Sequence, residues 1–107
     1  MIIIGNKKNG DVGEYVGRPS ILGNPFEMES ERERDAVIYK YEKWIREKIK
    51  TDEKILAEIT RLKKIYEENG NLTLVCWCSP KKCHAEIIKK IILEMCNVKE
   101  YSNIVNI

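Results

Sequence analysis

The sequence predicts a layered α/β domain, with a small, partly parallel sheet and three main helices. Three observations predict it. Two short extended runs open the chain, two amphipathic helical stripes follow back to back, and the most continuous apolar run, residues 72–78, leads into a third stripe. Strands, then two helices, then strand and helix is the order of a chain that crosses over helices to reach a parallel neighbour.

Ile2, Ile3 and Ile4 form a β-branched run closed by Gly5 and Asn6, the pattern of a buried strand. Residues 7–14 contain Asn9-Gly10 and Gly13, turn chemistry that predicts a hairpin returning to a very short extended piece at Tyr15-Val16. Residues 17–26 read GRPSILGNPF. Two glycines and two prolines in this stretch make it a shaped loop, because proline fixes the backbone and glycine supplies angles that other residues avoid.

Ser30-Glu31-Arg32-Glu33 matches a capping box. The helix it opens carries Val37, Tyr41, Trp44, Ile45 and Ile49 on one stripe, with charge elsewhere. Thr51 or Asp52 caps a second helix with the stripe Ile55, Ile59, Leu62 and Tyr66, and Asn69-Gly70 ends it. The run LTLVCWC, residues 72–78, is expected as a central strand covered on both faces, which Ser79-Pro80 breaks. A third helix is expected from about residue 82 to residue 95, with Ile87, Ile88, Ile91, Ile92 and Met95 on one face. Ile104-Val105-Asn106-Ile107 predicts a last strand.

At 107 residues the chain fits a single domain, residues 1–107, which buries roughly two thirds of the surface its unfolded form would expose. Hydrophobic residues make up 43% of it, too many for a disordered chain. The charged fraction is high at 34%, yet the signs nearly cancel to a net charge of +2, so the broad basic footprint of a general nucleic-acid binder is missing. No apolar run approaches the roughly 18 residues that span a bilayer, which predicts no membrane association and a cytoplasmic location. In that compartment the four cysteines are thiols, ligands or nucleophiles rather than a disulfide framework.

The chemistry concentrates at CWCSPKKCH, residues 76–84. Cys76 and Cys78 are two apart and share a strand face, with Trp77 pointing the other way into the core. The strand's carboxyl end then passes into Cys83-His84 at a helix start, where ligands of open α/β sheets sit. Free amides and the positive end of the helix dipole favour an anion there, and Lys81 and Lys82 add charge. The same field favours a thiolate, so Cys83, if exposed, is the most reactive cysteine. His84 is the only histidine, hence the only side chain that ordinarily titrates near neutrality.

Three readings compete for these residues. One is a small-molecule site with Cys83 or His84 acting on a phosphate-bearing or nucleoside-like ligand. The second is a zinc centre of Cys76, Cys78, Cys83 and His84, although neighbouring helical residues diverge by about 100°. In the third, buried cysteines act as small hydrophobes and the histidine caps its helix. Packing alone accounts for Cys96.

The first motif has its own chemistry. Arg18 is a fixed-charge fork for phosphate or carboxylate, Ser20 and Asn24 offer hydrogen bonds, and Gly17 and Gly23 permit close approach. Equally, Pro19, Gly23 and Pro25 build a rigid loop whose Leu22 and Phe26 plug the core. Tyr41 and Trp44 belong to the core stripe rather than to a base-stacking surface, while Arg34, just after the loop, points back to the site.

GRPSILGNPF, a helix bearing Arg34, Tyr41 and Trp44, and CWCSPKKCHAEII (residues 76–88) together resemble domain-of-unknown-function family 4326, found in prokaryotes and their viruses. The resemblance runs from about Tyr15 to about Leu93. Ile21 departs from its pattern, and the second helix stands between the motifs as an insertion. The Pro–Cys–His turn also resembles a related family, which implies by analogy a Rossmann-like, nucleotide-handling fold and leaves the activity open.

Together these expectations describe a pocket for a small anionic or nucleotide-like ligand. Gly17, Arg18, Ser20, Gly23, Asn24, Cys78 and Lys82 bind, Cys83 and His84 are the reactive pair, and no cofactor is needed. The alternative is the Cys/His zinc module. The pocket suits a binder as well as an enzyme, and pairing of the short terminal strands offers a route to a homo-oligomer.

Overall fold

The computed structural model describes residues 1–77 and 81–105, with side chains as far as residue 97. Its elements are β1 (Ile2–Asn6), β2 (Glu14–Tyr15), α1 (Arg34–Thr51), α2 (Glu53–Asn69), β3 (Leu72–Cys76) and α3 (His84–Val105). The sheet order is β1-β3-β2, and both outer strands run parallel to β3, with Ile4 and Glu14 each opposite Leu74. The protein is therefore a small mixed α/β fold of three parallel strands and three helices.

The hairpin expected over residues 7–14 does not form. Parallel neighbours cannot be joined by a two-residue turn, and here β1 and β2 are not neighbours at all, because β3 lies between them. The reason is local. The Asn6 side chain accepts the Lys8 N–H at 2.8 Å, and Gly10 N–H closes a short 3-10 turn on Lys7 O. The Asp11 carboxylate then folds back onto the Asn6 N–H at 2.7 Å. The chain passes across the sheet so closely that a Cβ on Gly13 would lie 2.5 Å from the Thr73 carbonyl oxygen.

Along β3 the side chains alternate. Leu72, Leu74 and Cys76 join Ile2 and the helices in the apolar cluster, while Val75, although buried, lies outside it. The helices thus cover one face of the central strand, and the opposite face leaves Ile3 half exposed. The core seals around Tyr41 and Ile45 of α1, Ile59 and Leu62 of α2, and Ile88 and Ile92 of α3.

The local signals at the helix ends hold. Asp52 caps α2, its Oδ1 accepting from Lys54 N at 2.9 Å and Ile55 N at 3.4 Å, and Gly70 ends that helix in the left-handed conformation. The capping box at Ser30 is present, but it opens a 3-10 turn (Glu31–Glu33) from which α1 continues. Arg46 of α1 bonds both Glu42 and Glu94, tying α1 to α3 and holding both carboxyl groups below their usual range.

Two boundaries differ from expectation at the C-terminal side. β3 stops at Cys76, so of the predicted strand Cys78 lies outside the described residues, as do Ser79 and Pro80. The third helix starts at His84 and continues through Val105, so Ile104 and Val105 are helical rather than a strand; Asn106 and Ile107 lie outside the described residues.

Candidate functional site

A cleft of about 310 Å³ opens at the carboxyl end of β3. The 18–26 loop supplies Arg18, Asn24 and Phe26 to it, and the turn into α3 supplies Cys76, Trp77, Lys82, Cys83 and His84. Arg34, Val37 and Ile38 of α1 close the third side. Both sequence motifs therefore meet around one cavity, joined by Gly17 and Tyr15 at the end of β2.

At the floor, Cys83 stands immediately before α3. Its Sγ lies 2.8 Å from Cys76 Sγ and 3.4 Å from His84 Nδ1, and accepts the Ala85 N–H at 3.5 Å. The divergence expected of adjacent helical residues does not arise, because Cys83 occupies the cap position and His84 the first turn. The helix end and the Ala85 amide favour negative charge on this sulfur, while its burial (2% exposed) opposes it. The thiol is therefore not surface-exposed, and the cleft is where it can meet a ligand.

His84 is fixed from its other side. Nε2 lies 2.7 Å from the Val16 carbonyl oxygen, which can only accept, so Nε2 carries the hydrogen and Nδ1 is left to face Cys83. Tyr41 packs edge-on against the imidazole at 5.1 Å and donates its hydroxyl to Leu22 O at 2.7 Å. Burial first, and the nearby Cys83 sulfur second, push the Tyr41 phenol upward, so it stays a donor. Tyr41 is a core residue, as its helical stripe predicted.

The loop divides between residues that build it and residues that face the cleft. Ser20 Oγ accepts the Leu22 N–H at 3.2 Å, and Ser20 O accepts the Gly23 N–H at 2.8 Å. A Cβ on Gly23 would meet Arg18 N and Ser20 O at 3.0 Å. Ser20 and Gly23 hold the turn together and are not part of the cleft lining. Asn24 does line it, with Oδ1 engaged by the Phe26 N–H at 2.8 Å. Leu22 is fully buried, as a core plug should be, whereas Phe26 is half-buried and lines the cleft.

Three cations stand around the opening. Arg34 is committed to structure: Nε and Nη2 bond Glu31, and Nη1 donates to Lys82 O at 2.8 Å, clamping the α3 turn to α1. Arg34 and Lys81 together hold the exposed Glu31 carboxyl down at about 2. Lys82 is exposed and 3.6 Å from Asp35. Arg18 is exposed, and among the described residues its guanidinium makes a single long bond, Nη2 to Phe26 O at 3.3 Å. It is the cation with the most donors left for a ligand.

The structure also corrects the placement of Trp77, which is 49% exposed in the cleft wall rather than in the core. Its Nε1–H donates to Tyr15 OH at 3.1 Å, and Tyr15 OH donates to Arg18 O at 2.5 Å. Gly17 makes room for this relay, since a Cβ there would lie 2.6 Å from Tyr15 Oη. Tyr15, Phe26, Met28, Val37 and Ile38 are lining residues that sequence reasoning missed or assigned elsewhere. Only Gly17, two residues after an aromatic, hinted at the Tyr15 relay.

Of the zinc set, Cys76, Cys83 and His84 come together, and Cys78 lies outside the described residues. Among the described residues no group of three or more His, Cys, Asp or Glu side chains is placed to hold a metal ion. Nor is any described helix long and apolar enough to cross a membrane.

The model of the family Domain of unknown function (DUF4326) matches residues 4–94. The chain belongs to that family. The DUF4326 match reaches from β1 into α3 and takes in every residue that lines the cleft. No curated protein and no solved structure matches the chain.

Proposed function

We propose that the cleft binds a small anionic, nucleotide-like ligand, with Arg18 as the fixed-charge anchor, Lys82 and Asn24 beside it, and Cys83–His84 as the reactive pair beneath. One observation carries this: two motifs far apart in sequence meet around one cavity that has an arginine with donors to spare at its rim and a thiol–imidazole contact at its floor. The cavity's volume sits at the lower end of the range for small-molecule sites, and apolar walls with a few convergent polar groups are their usual composition.

The 3.4 Å contact between Cys83 and His84 favours a reactive version of this reading. The Cys83 proton passes to Nδ1, and sulfur attacks an electrophilic carbon of the ligand. As the S–C bond forms, the leaving group departs with its electron pair and takes the proton from Nδ1. Water then cleaves the S–C bond and restores the thiol.

Calorimetric titration with inorganic phosphate, ribose 5-phosphate and nucleoside phosphates tests the site. Binding by the wild type should fall about 10- to 100-fold in Arg18→Ala, the loss expected for charge-assisted hydrogen bonds. No binding by any of these probes, or equal binding by the variant, overturns the reading. Native mass spectrometry of the same sample decides between this reading and the zinc module: one zinc per chain, removed by a chelator, would replace the thiol chemistry with a metal site, and a metal-free mass would retire the zinc module.

A further inference from the structure

An indole with half its surface in water is ordinarily loose. Trp77 is not. Its ring nitrogen is held by Tyr15 OH, and that hydroxyl is itself committed to the Arg18 carbonyl. Tyr15 is gripped in turn, with the Lys7 ammonium 4.6 Å from its ring centroid and the Cβ-less Gly17 beneath its hydroxyl. Residues from three segments thus fix the edge of an indole that lines the cleft while 49% of the residue remains exposed.

The rest of the cleft limits what that ring can meet. Phe26, Met28, Val37 and Ile38 make the walls apolar, and about 310 Å³ matches a ligand the size of one ring system with one sugar and one phosphate. The Arg18 backbone carbonyl is held by the same relay that holds Trp77, so the residue that carries the anion anchor and the ring platform are tied to one hydroxyl.

We infer that Trp77 is the platform on which a planar heteroaromatic ring stacks, and that the ligand class is a nucleoside monophosphate, its phosphate on Arg18. This deepens the proposed function and rests on it. Base–aromatic stacking tolerates any base, because every base has a π-face. The site therefore discriminates by ring presence and by size rather than by base identity. Trp77 and Tyr15 are specificity-determining, and neither takes part in bond making.

The chain has two tryptophans, Trp44 and Trp77, so Trp44→Phe leaves Trp77 as the only indole emitter. In that variant, adenosine 5′-monophosphate and cytidine 5′-monophosphate should both quench the emission, whereas ribose 5-phosphate should not. By calorimetry on the otherwise wild-type chain, Trp77→Ala should weaken both monophosphates by about tenfold or more while leaving ribose 5-phosphate unchanged, and Trp77→Phe should restore most of the loss. A dinucleotide such as NAD should bind more weakly than either monophosphate. Unquenched emission on binding, equal affinity for ribose 5-phosphate, or tighter binding of the dinucleotide overturns the inference while leaving an anion site in place. If no phosphate-bearing probe binds the wild type, the proposed function itself fails and the inference falls with it.

Discussion

The two walls of the cleft are built on opposite terms. In the 18–26 loop most polar groups are spent on the loop itself: Ser20 on Leu22 and Gly23, Asn24 on Phe26, and the carbonyl of Leu22 on Tyr41. Its guanidinium is what it presents. The segment from Cys76 into α3 does the reverse. Its backbone is held from outside by Arg34 on Lys82 O, the His84 ring is held by Val16 O, and Trp77, Cys83 and His84 line the cavity. A motif residue is therefore no guide to ligand contact until its own hydrogen bonds have been followed.

The comparison breaks most visibly at His84. His84→Ala should cost about 1–3 kcal/mol of stability in urea unfolding, because the buried Val16 carbonyl loses its donor. It should also slow alkylation of Cys83 by iodoacetamide, followed by mass spectrometry of the Cys83 peptide. Loss of stability with an unchanged alkylation rate would make His84 a structural cap and nothing more. Ser20→Ala sharpens the other wall. It should cost about 0.5–1.5 kcal/mol and leave phosphate-ligand affinity as it was; a fall in affinity at unchanged stability would mean that Ser20 touches the ligand.

The smallest effect concerns Glu31, which links the 3-10 turn before α1 to Arg34 and Lys81. Its folded-state carboxyl sits at about 2, below its ordinary 4.5, so the folded state favours the ionised form. The resulting stability is fully present above about 4.5 and drains away as pH falls toward 2. Because the group is fully exposed, solvent screens the effect. Thermal melts between pH 2 and pH 5 should show a slightly shallower acid slope for Glu31→Gln than for the wild type. Identical slopes would remove Glu31 as a contributor to the clamp.

What was legible in the sequence was local. Asp52 and Gly70 announce the ends of α2 because capping is settled within one helical turn, and the stripe through Tyr41 and Ile45 fixes which side of α1 is buried. The meeting of the 17–26 loop with the turn into α3 is expected from the resemblance that joins the two motifs and from where ligands sit on open sheets. The path between β1 and β2 was not legible, since Asn9-Gly10 signals a turn without saying which strand the chain will next lie beside. Trp77 was misplaced for a related reason. Within an apolar run it has a strand residue's signature, and only β3's end at Cys76 and the Tyr15 hydroxyl turn it outward. The Cys83–His84 contact escapes a helical projection because Cys83 precedes the helix.

One feature of His84 bears on how the site is assembled. Its contact with Cys83 spans a single peptide and needs almost no chain closure, whereas its bond to Val16 joins residues 68 apart in sequence. When β2 undocks, the first contact can persist while the second is lost, and the Val16 carbonyl then no longer selects which nitrogen carries the hydrogen. The tautomer that turns Nδ1 toward Cys83 is thus set by a backbone carbonyl distant in sequence and adjacent in space. Proton position at this site is a report on whether the N-terminal third of the chain is in place.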